Sequence, residues 1–405
     1  MSTPFALSKS TNSAHFLQVE LKHGRHLAYC TNIHRGESWE ETFDALKNHA
    51  LAVRERVCPH KPFAIGLRLS HEAAFELADP KRLSGFRRWL DDHACYVYTI
   101  NGFPFGQFHG ARVKEMVYTP DWTSPKRLAY TNRLFDLLAE LLPAGVEGSV
   151  STLPGTFKEF IQTDEQARII REHLWRCVEH ISRVSAASKR KLHLGLEPEP
   201  LCLLENTSET ISFFDQIRAE HKNDPRLDEH LGVNYDCCHF AVEFEEPQTS
   251  LNSLLAAGVK ISKIHLSSAL KTVATAEARD ALKQFVDSVY LHQVIKRGDN
   301  GKLTYYRDLP DALTAADTEP DEWRIHFHVP LHAPTSPPFK NTNGHLLGVL
   351  DWLAEHPEVC PHLEMETYTW EVLPPELKSR SVVEQLTAEY QWTLARLAER
   401  GLANR

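Results

Sequence analysis

A (β/α)₈ barrel is the fold class that this sequence predicts, and three observations predict it. Short apolar runs alternate with longer amphipathic runs along the 405 residues. Eight strand–helix units can be counted, and their strands begin near residues 27, 63, 95, 148, 191, 231, 261 and 362. Apolar strands separated by helices indicate a parallel sheet, and eight units can close into a barrel. An open doubly wound sheet is the alternative arrangement of the same elements.

The first half of the chain supplies four units. Ser38, followed three residues later by Glu41, predicts a capping box at the start of the first helix. Apolar residues then recur at helical spacing up to Val57. The predicted strands cover 26–32, 63–70, 95–102 and 147–155, and the predicted helices cover 38–57, 80–93, 124–142 and 164–188.

The second half repeats the scheme with one wide gap before its last strand. Its predicted strands cover 191–200, 230–240, 261–270 and 359–370, and its helices cover 208–220, 249–258, 342–356 and 381–400. The gap predicts an insertion, residues 270–342, between the seventh strand and the seventh helix. It contains a predicted β-hairpin at "GDNG" (298–301) and a histidine-rich strand, "RIHFHVPLH" (324–332). We expect one domain, 1–405, in which the insertion forms a lid over the barrel.

Composition excludes several classes of protein. The formal net charge is −9, from 45 basic and 54 acidic residues, and this balance disfavours nucleic-acid binding. The eight cysteines are scattered and form no CxxC pair, so a disulfide scaffold is not expected. No apolar run is long enough to span a bilayer, and no leader peptide is evident. We therefore expect a soluble, cytoplasmic protein without direct membrane insertion.

Chemistry in such a barrel belongs at the carboxyl ends of the strands. The first four ends carry little acid, whereas the last four carry several carboxylates and imidazoles. These are Glu197 and Glu199, Asp236 and His239, His265, and Glu364 and Glu366. Side chains of these types meeting at one point predict a site for one divalent cation, Mn²⁺, Mg²⁺, Co²⁺ or Zn²⁺.

The adjacent Cys237 and Cys238 lie inside this pattern. A thiolate nucleophile needs an activating cation and no competing metal. We therefore interpret both cysteines as small, buried residues beside the site. The pair His326 and His328 is expected to have a structural or rim role, because an HxH metal pair belongs on a first strand.

The ordered motifs "LEPEP", "DCCH", "KIHLS" and "EMETYTW" resemble those of the xylose isomerase-like barrels, a superfamily of sugar isomerases and epimerases. The longer stretches "LEPEPLCLLENT", "NYDCCHFAVEFEEP" and "HLEMETYTWEVLP" resemble a narrower family, EboE, described as metabolite traffic proteins of the Ebo gene cluster. The resemblance covers essentially the whole chain.

The resemblance implies a role for each matching residue. It implies that the metal ligands are Glu197, Asp236, His265 and Glu366. Glu197 is preferred to Glu199 because Pro198 ends the strand, and Glu366 to Glu364 because it is nearer the loop. It also implies that His239 contacts the substrate. From their positions in the sequence, His332 in the insertion is expected to reach the pocket, and Trp370 beyond the eighth strand either stacks on a sugar ring or packs in the core. The family's His-x-x-Pro-Gly segment after the seventh strand is replaced here by the insertion.

Two classes of function follow from the resemblance. One is a metal-dependent isomerase or epimerase of a sugar, cyclitol or related polyol, in which Glu197 and Glu366 act as general base and acid. The other is a non-catalytic protein that binds a metabolite and hands it to other proteins of the Ebo cluster. A nuclease similar to endonuclease IV is a third alternative, disfavoured by the negative net charge.

Overall fold

The computed structural model describes residues 21–107, 109, 112–316, 319–334, 336–369 and 381–404. Seven strands follow one another along the chain and pair side by side in parallel. They are β1 (His26–Cys30), β2 (Phe63–Arg68), β3 (Cys95–Asn101), β4 (Gly148–Thr152), β5 (Leu192–Leu196), β6 (Leu231–Asp236) and β7 (Lys260–Leu266). Each begins at the predicted residue or next to it.

After β7 the chain leaves the barrel and builds a second sheet. Its strands are β8 (Ala269–Val273), β9 (Val294–Arg297), β10 (Leu303–Tyr306), β11 (Glu322–His328) and β12 (Phe339–Asn341). They pair antiparallel in the order β10-β9-β11-β8-β12, and β9 and β10 form a hairpin around the "GDNG" turn. The strand predicted over 261–270 is wrong at its end, because Ala269 pairs with His328 in this second sheet.

The last strand, β13 (His362–Met365), returns to the barrel. It pairs in parallel with β7 on one side and with β1 on the other. The barrel is therefore closed, as predicted, and the open doubly wound alternative is wrong. Helices cover the outside of the barrel, so strands such as β2 and β6 are buried along their whole length.

All eight predicted amphipathic runs form helices, and the described residues contain five further short α-helices outside them. Together they are α1 (Trp39–Ala45), α2 (Leu51–Val57), α3 (His71–Leu77), α4 (Pro80–Asp92), α5 (Pro125–Leu141), α6 (Asp164–Ser188), α7 (Thr207–Glu220), α8 (Pro225–His230), α9 (Cys237–Val242), α10 (Pro247–Ala256), α11 (Ala276–Leu282), α12 (Leu309–Thr314), α13 (Asn343–Glu355) and α14 (Val382–Glu399). The capping box of Ser38 and Glu41 is present, and a π-helical turn joins α1 to α2. Within the described ranges, none of the helices combines the length and apolarity needed to cross a membrane.

One predicted strand is too long for a local reason. The strand predicted over 230–240 ends at Asp236, and residues from Cys237 onward form α9. Asp236 accepts hydrogen bonds from the backbone N–H groups of Cys238 (2.7 Å) and His239 (3.0 Å), which caps the new helix. His239 therefore lies on a helical turn rather than in a loop.

The insertion has a small apolar core of its own and also packs against the barrel. Its core includes Phe285, Trp323 and Phe327. Backbone and side-chain hydrogen bonds join it to the segment that follows β3: Lys114 N–H donates to Val289 O (2.8 Å), and Lys114 Nζ donates to Asp308 Oδ2 (2.7 Å). These contacts hold the insertion at the carboxyl ends of the barrel strands.

Glu389 on α14 ties the end of the insertion to the segment after β13. Its Oε1 accepts hydrogen bonds from Leu331 N–H and Thr367 Oγ1, both at 2.9 Å. Within the described ranges Oε2 has no hydrogen-bond partner, and the side chain is fully buried. Burial raises the pKa of Glu389 to about 7.

The Glu389→Gln variant should have a flatter dependence of unfolding free energy on pH. Between 4.5, the ordinary pKa of a Glu, and about 7, folded Glu389 keeps a proton that the unfolded chain releases. Stability therefore falls as pH rises through this window, and Gln removes that contribution. Urea unfolding at about pH 5 and about pH 8 measures the effect. The exposed Glu399→Gln on the same helix is the control; equal slopes in all three proteins would contradict the prediction.

Candidate metal centre

Four of the predicted residues lie on four neighbouring strands. Glu197 directly follows β5, Asp236 ends β6, His265 lies in β7, and Glu366 directly follows β13. In the barrel these strands are consecutive. Each side chain offers one atom that can ligate a metal, and these four atoms all lie within 4.8 Å of one another. All four side chains are buried.

The four groups converge on one nitrogen atom. His265 Nδ1 lies 3.0 Å from Glu197 Oε1, 3.3 Å from Asp236 Oδ2 and 3.0 Å from Glu366 Oε2. Burial alone lowers the pKa of His265, but Glu366 and Glu197 outweigh it and hold that pKa well above its usual value. Three carboxylates buried close together thus require a positive charge between them.

Asp236 provides a test of whether a cation fits. Its Oδ1 accepts three hydrogen bonds, from the N–H groups of Cys238 and His239 and from Ser267 Oγ (2.7 Å). Its Oδ2 is fully buried and accepts no hydrogen bond from the described residues, although His265 Nδ1 lies 3.3 Å away. A buried carboxylate oxygen without a partner costs free energy unless a cation satisfies it. Three carboxylates and one imidazole suit Mn²⁺, Mg²⁺, Co²⁺ or Zn²⁺, so these residues fit the predicted cation.

Glu364 has a different position from Glu366, although both point to the same side of β13. Its Oε1 accepts from Asn101 Nδ2 (2.7 Å), and its Oε2 accepts from Lys263 Nζ (2.7 Å) and His265 Nε2 (3.2 Å). Burial raises the pKa of Glu364, but the charge of Lys263 outweighs burial and brings it below the usual range. Glu364 therefore lies beneath the four-residue cluster and orients His265, so that Nδ1 faces the carboxylates.

Gly66 on β2 leaves the space that Glu364 occupies. A Cβ atom at Gly66 would lie 1.7 Å from Glu364 Oε1, a distance that no side chain can tolerate. Glycine is thus required here by the close approach of a buried carboxylate.

Glu199 is not part of the four-residue cluster. Its Oε1 accepts a hydrogen bond from Tyr118 OH (2.7 Å), and its buried Oε2 has no hydrogen-bond partner among the described residues. Burial raises the pKa of Glu199 to about 7. The structure thus distinguishes Glu197 from Glu199, which the alternation of side chains along a strand leaves equivalent.

A cavity opens above the cluster, with about 610 Å³ of empty space including its mouth. Glu197, Glu366 and His239 contribute to its wall, together with aromatic residues from three segments: Phe103, Tyr118, Tyr290 and Tyr368. His239 Nδ1 donates to Pro198 O (2.9 Å), which orients the ring.

Two of the predicted substrate contacts, His332 and Trp370, are not among the described residues that line the cavity. His326, by contrast, lines it. His328 lies within 4.8 Å of donor atoms of Asp236 and His239. Both imidazoles of the HxH pair, for which a structural or rim role is expected, are buried on β11. Trp370 lies outside the described residues.

Sequence reasoning overlooked Lys263 and Gln293. Lys263 is buried in β7 two residues before His265, so both side chains point into the barrel. A lysine at the same strand parity as a buried histidine is a signal for an ion pair inside the barrel. Gln293 donates from Nε2 to Tyr118 OH (3.0 Å), and no local pattern in the sequence marks it.

Comparison with solved structures finds the xylose isomerase-like TIM barrel. One match is an L-ribulose 3-epimerase, 12% identical, with a TM-score of 0.51 over 93% of this chain and 95% of that chain. Another is a xylose isomerase-like TIM barrel protein from Mycobacterium smegmatis in complex with magnesium, 13% identical, with a TM-score of 0.53 over 93% and 98%. No protein-family model and no curated protein sequence matches. At these identities the likeness concerns the fold.

Proposed function

We propose that the protein is a metal-dependent isomerase or epimerase of a polyhydroxylated small molecule, a sugar or a cyclitol. The observation that supports this most is the position of two carboxylates, Glu197 and Glu366, in one cavity. Both contact His265 Nδ1 at 3.0 Å, but they come from β5 and β13, which are separated by β6 and β7. They therefore approach a common point from different sides.

The chemistry needs one group to remove a proton from carbon and another to return it. A divalent cation held by Glu197, Asp236, His265 and Glu366 would polarise a carbonyl group and acidify the adjacent C–H. Glu197 and Glu366 then act as base and acid. Asn32 Nδ2 donates to Glu366 Oε1 (2.6 Å), so one oxygen of that carboxylate is held in place while the other faces the cavity.

The insertion is proposed to cover this reaction. Tyr290, Leu291 and His326, all from the insertion, line the cavity. Tyr290 OH and His109 Nδ1 are hydrogen-bonded at 2.5 Å, and His109 Nε2 contacts Asn32 O (2.6 Å). A cover linked in this way to the first strand end would exclude water from a reactive intermediate.

A hand-over protein is the second candidate function. It is favoured by the EboE-like motifs, which include residues 196–207 and 234–247 and belong to proteins described as metabolite traffic proteins. In this proposal the same cation and cavity hold a biosynthetic polyol for partner proteins of the Ebo cluster. Binding without exchange of a carbon-bound proton separates this function from the first.

Solvent deuterium exchange tests the proposal. The Mn²⁺-loaded protein, incubated in D₂O with a panel of ketoses and cyclitol ketones, should incorporate deuterium at a carbon next to the carbonyl of one of them. Glu197→Gln and Glu366→Gln should each slow this exchange by at least about 100-fold, the lower end of general acid–base catalysis. Proton NMR measures the loss of the C–H signal.

The control is Glu389→Gln, which alters a buried carboxyl outside the cavity lining. This variant should catalyse deuterium exchange of the substrate at the wild-type rate. Tight binding of a panel member without exchange would favour the hand-over function. Exchange that persists in both Glu variants at saturating Mn²⁺ would contradict the assigned base and acid.

A further inference from the structure

Three side chains beside the cavity form a second cluster of metal-ligating groups. His326 and His328 on β11 face Cys238 on α9. Each residue offers one atom that can ligate a metal, and these three atoms all lie within 4.8 Å of one another. All three residues are buried. The two imidazole rings have centroids 5.4 Å apart. None of the three belongs to the four-residue cluster around His265.

The hydrogen bonds of both histidines leave the same nitrogen free. His328 Nδ1 contacts the backbone carbonyl of Glu366 (3.2 Å), which can only accept, so Nδ1 carries the proton. Nε2 of the neutral ring then holds a lone pair. His328 is 0% exposed, and its Nε2 has no hydrogen-bond partner in the part of the chain that the structure describes.

His326 has the same tautomer for a less direct reason. Its Nδ1 lies 2.8 Å from Gln293 Oε1. The amide of Gln293 cannot be reversed, because its Nε2 lies 3.2 Å from Pro200 O, which requires a donor. His326 Nδ1 is therefore the donor. Its Nε2 is buried, and none of the described residues forms a hydrogen bond with it.

Cys238 differs from its neighbour Cys237. Cys237 packs in the main hydrophobic core, whereas Cys238 packs in a small cluster with Val242, Ala269 and Ile295, between α9 and the insertion. Cys238 thus lies on the side of α9 that faces β11. Cys238 Sγ and one ring nitrogen of each histidine therefore lie close together in a buried place, where unpartnered polar atoms cost free energy.

We propose that Cys238, His326 and His328 bind a second cation, of the borderline-soft class represented by Zn²⁺. One thiolate and two neutral imidazoles are typical ligands of this class. Zinc bond lengths of about 2.0–2.3 Å place tetrahedral ligand atoms about 3.3–3.8 Å apart, so small side-chain shifts would complete the site. His326 lines the cavity, so the fourth position can face a bound molecule. The site does not depend on whether the four-residue cluster catalyses isomerisation.

Cobalt titration of the full-length, chelator-stripped protein tests the second site. Co²⁺ bound by a thiolate gives a sulfur-to-metal charge-transfer band in the near ultraviolet, and mass spectrometry of the metal counts bound ions. The wild type should bind two equivalents of Co²⁺ and show the band, and Zn²⁺ should abolish the band by displacement. Cys238→Ala should lose the band and one equivalent. His326→Gln should lose them as well, which keeps the test valid if Cys238→Ala does not fold.

Two matched variants make the result specific. Cys237→Ala, which alters the adjacent thiol, should keep both equivalents and the band. The double variant Asp236→Asn/His265→Ala should lose one equivalent but keep the band, so failure of the first site is distinguishable from failure of the second. Absence of a band in the wild type, persistence of the band in Cys238→Ala, or its loss in Cys237→Ala would overturn the proposal.

Discussion

The double variant Asp236→Asn/His265→Ala is expected to lose Mn²⁺ at the barrel mouth while keeping the fold. Loss of a residue that merely supports a metal ligand weakens metal binding by about 10–100-fold. Loss of two direct ligands should therefore weaken it by more than about 100-fold. The fold should survive because Asn keeps an amide oxygen at the position of Asp236 Oδ1, which caps α9.

Mn²⁺ is the suitable probe because three of the four proposed ligands are carboxylates, and a thiolate site competes poorly for it. Titration followed by electron paramagnetic resonance measures the stoichiometry and affinity. Asp136→Asn/His180→Ala is the matched control, since these residues form an exposed Asp–His hydrogen bond of 2.8 Å between α5 and α6. Unchanged Mn²⁺ binding in the Asp236/His265 double variant would show that the site is elsewhere.

Lys263→Met is expected to destabilise the protein by about 3–5 kcal/mol, the usual consequence of removing one partner of a buried ion pair. Lys263 Nζ donates to Glu364 Oε2 (2.7 Å), Asn101 Oδ1 (2.6 Å) and Ser151 Oγ (3.0 Å), so all three of its protons are used. Both charged side chains are almost completely buried. Without Lys263, the carboxylate of Glu364 would remain in the barrel without its main counter-charge.

Urea unfolding of the metal-free protein measures this loss. Lys260→Met, at the partly exposed start of the same strand, should change the free energy of unfolding by about 0.5 kcal/mol or less. Lys263→Met/Glu364→Gln should recover part of the stability, because the variant no longer buries an unpaired charge. A loss below about 1 kcal/mol in Lys263→Met would contradict the proposed ion-pair role.

The pH dependence of this pair has a definite sign. The pKa of Glu364 is lowered in the folded state, so its contribution to stability is present above the ordinary carboxyl pKa and is lost as pH falls below it. Glu389, whose pKa is raised to about 7, has the opposite sign. The two carboxyls therefore affect stability in different pH ranges and can be separated by their variants.

The sequence by itself determined the barrel and the strand ends that carry the site. Strand starts could be predicted because a strand buried on both faces is apolar throughout, which is a local property. Glu197, Asp236, His265 and Glu366 could be grouped because parallel strands present their carboxyl ends at the same rim. Both inferences need only the order of elements along the chain.

Only the tertiary structure decided between residues of the same strand parity. Glu364 and Glu366 both point into the barrel, but the depth of each determines whether it contacts Lys263 or faces the cavity. Glu199 is separated from His265 by its hydrogen bond to Tyr118, a residue 81 positions away. Depth and such distant partners depend on how the barrel closes, and no local pattern records them.

The insertion shows most clearly that side-chain placement cannot be predicted from local sequence patterns. The sequence favoured His332 as the residue that reaches the pocket, whereas β11 carries His326 and His328 to Cys238 and Asp236. That placement depends on antiparallel pairing of β11 with β8 and β9, whose residues lie up to 59 positions away, as in the Ala269–His328 pair. The register of a strand is set by its partners, so the side chains it presents to the barrel could be known only once those partners were in place.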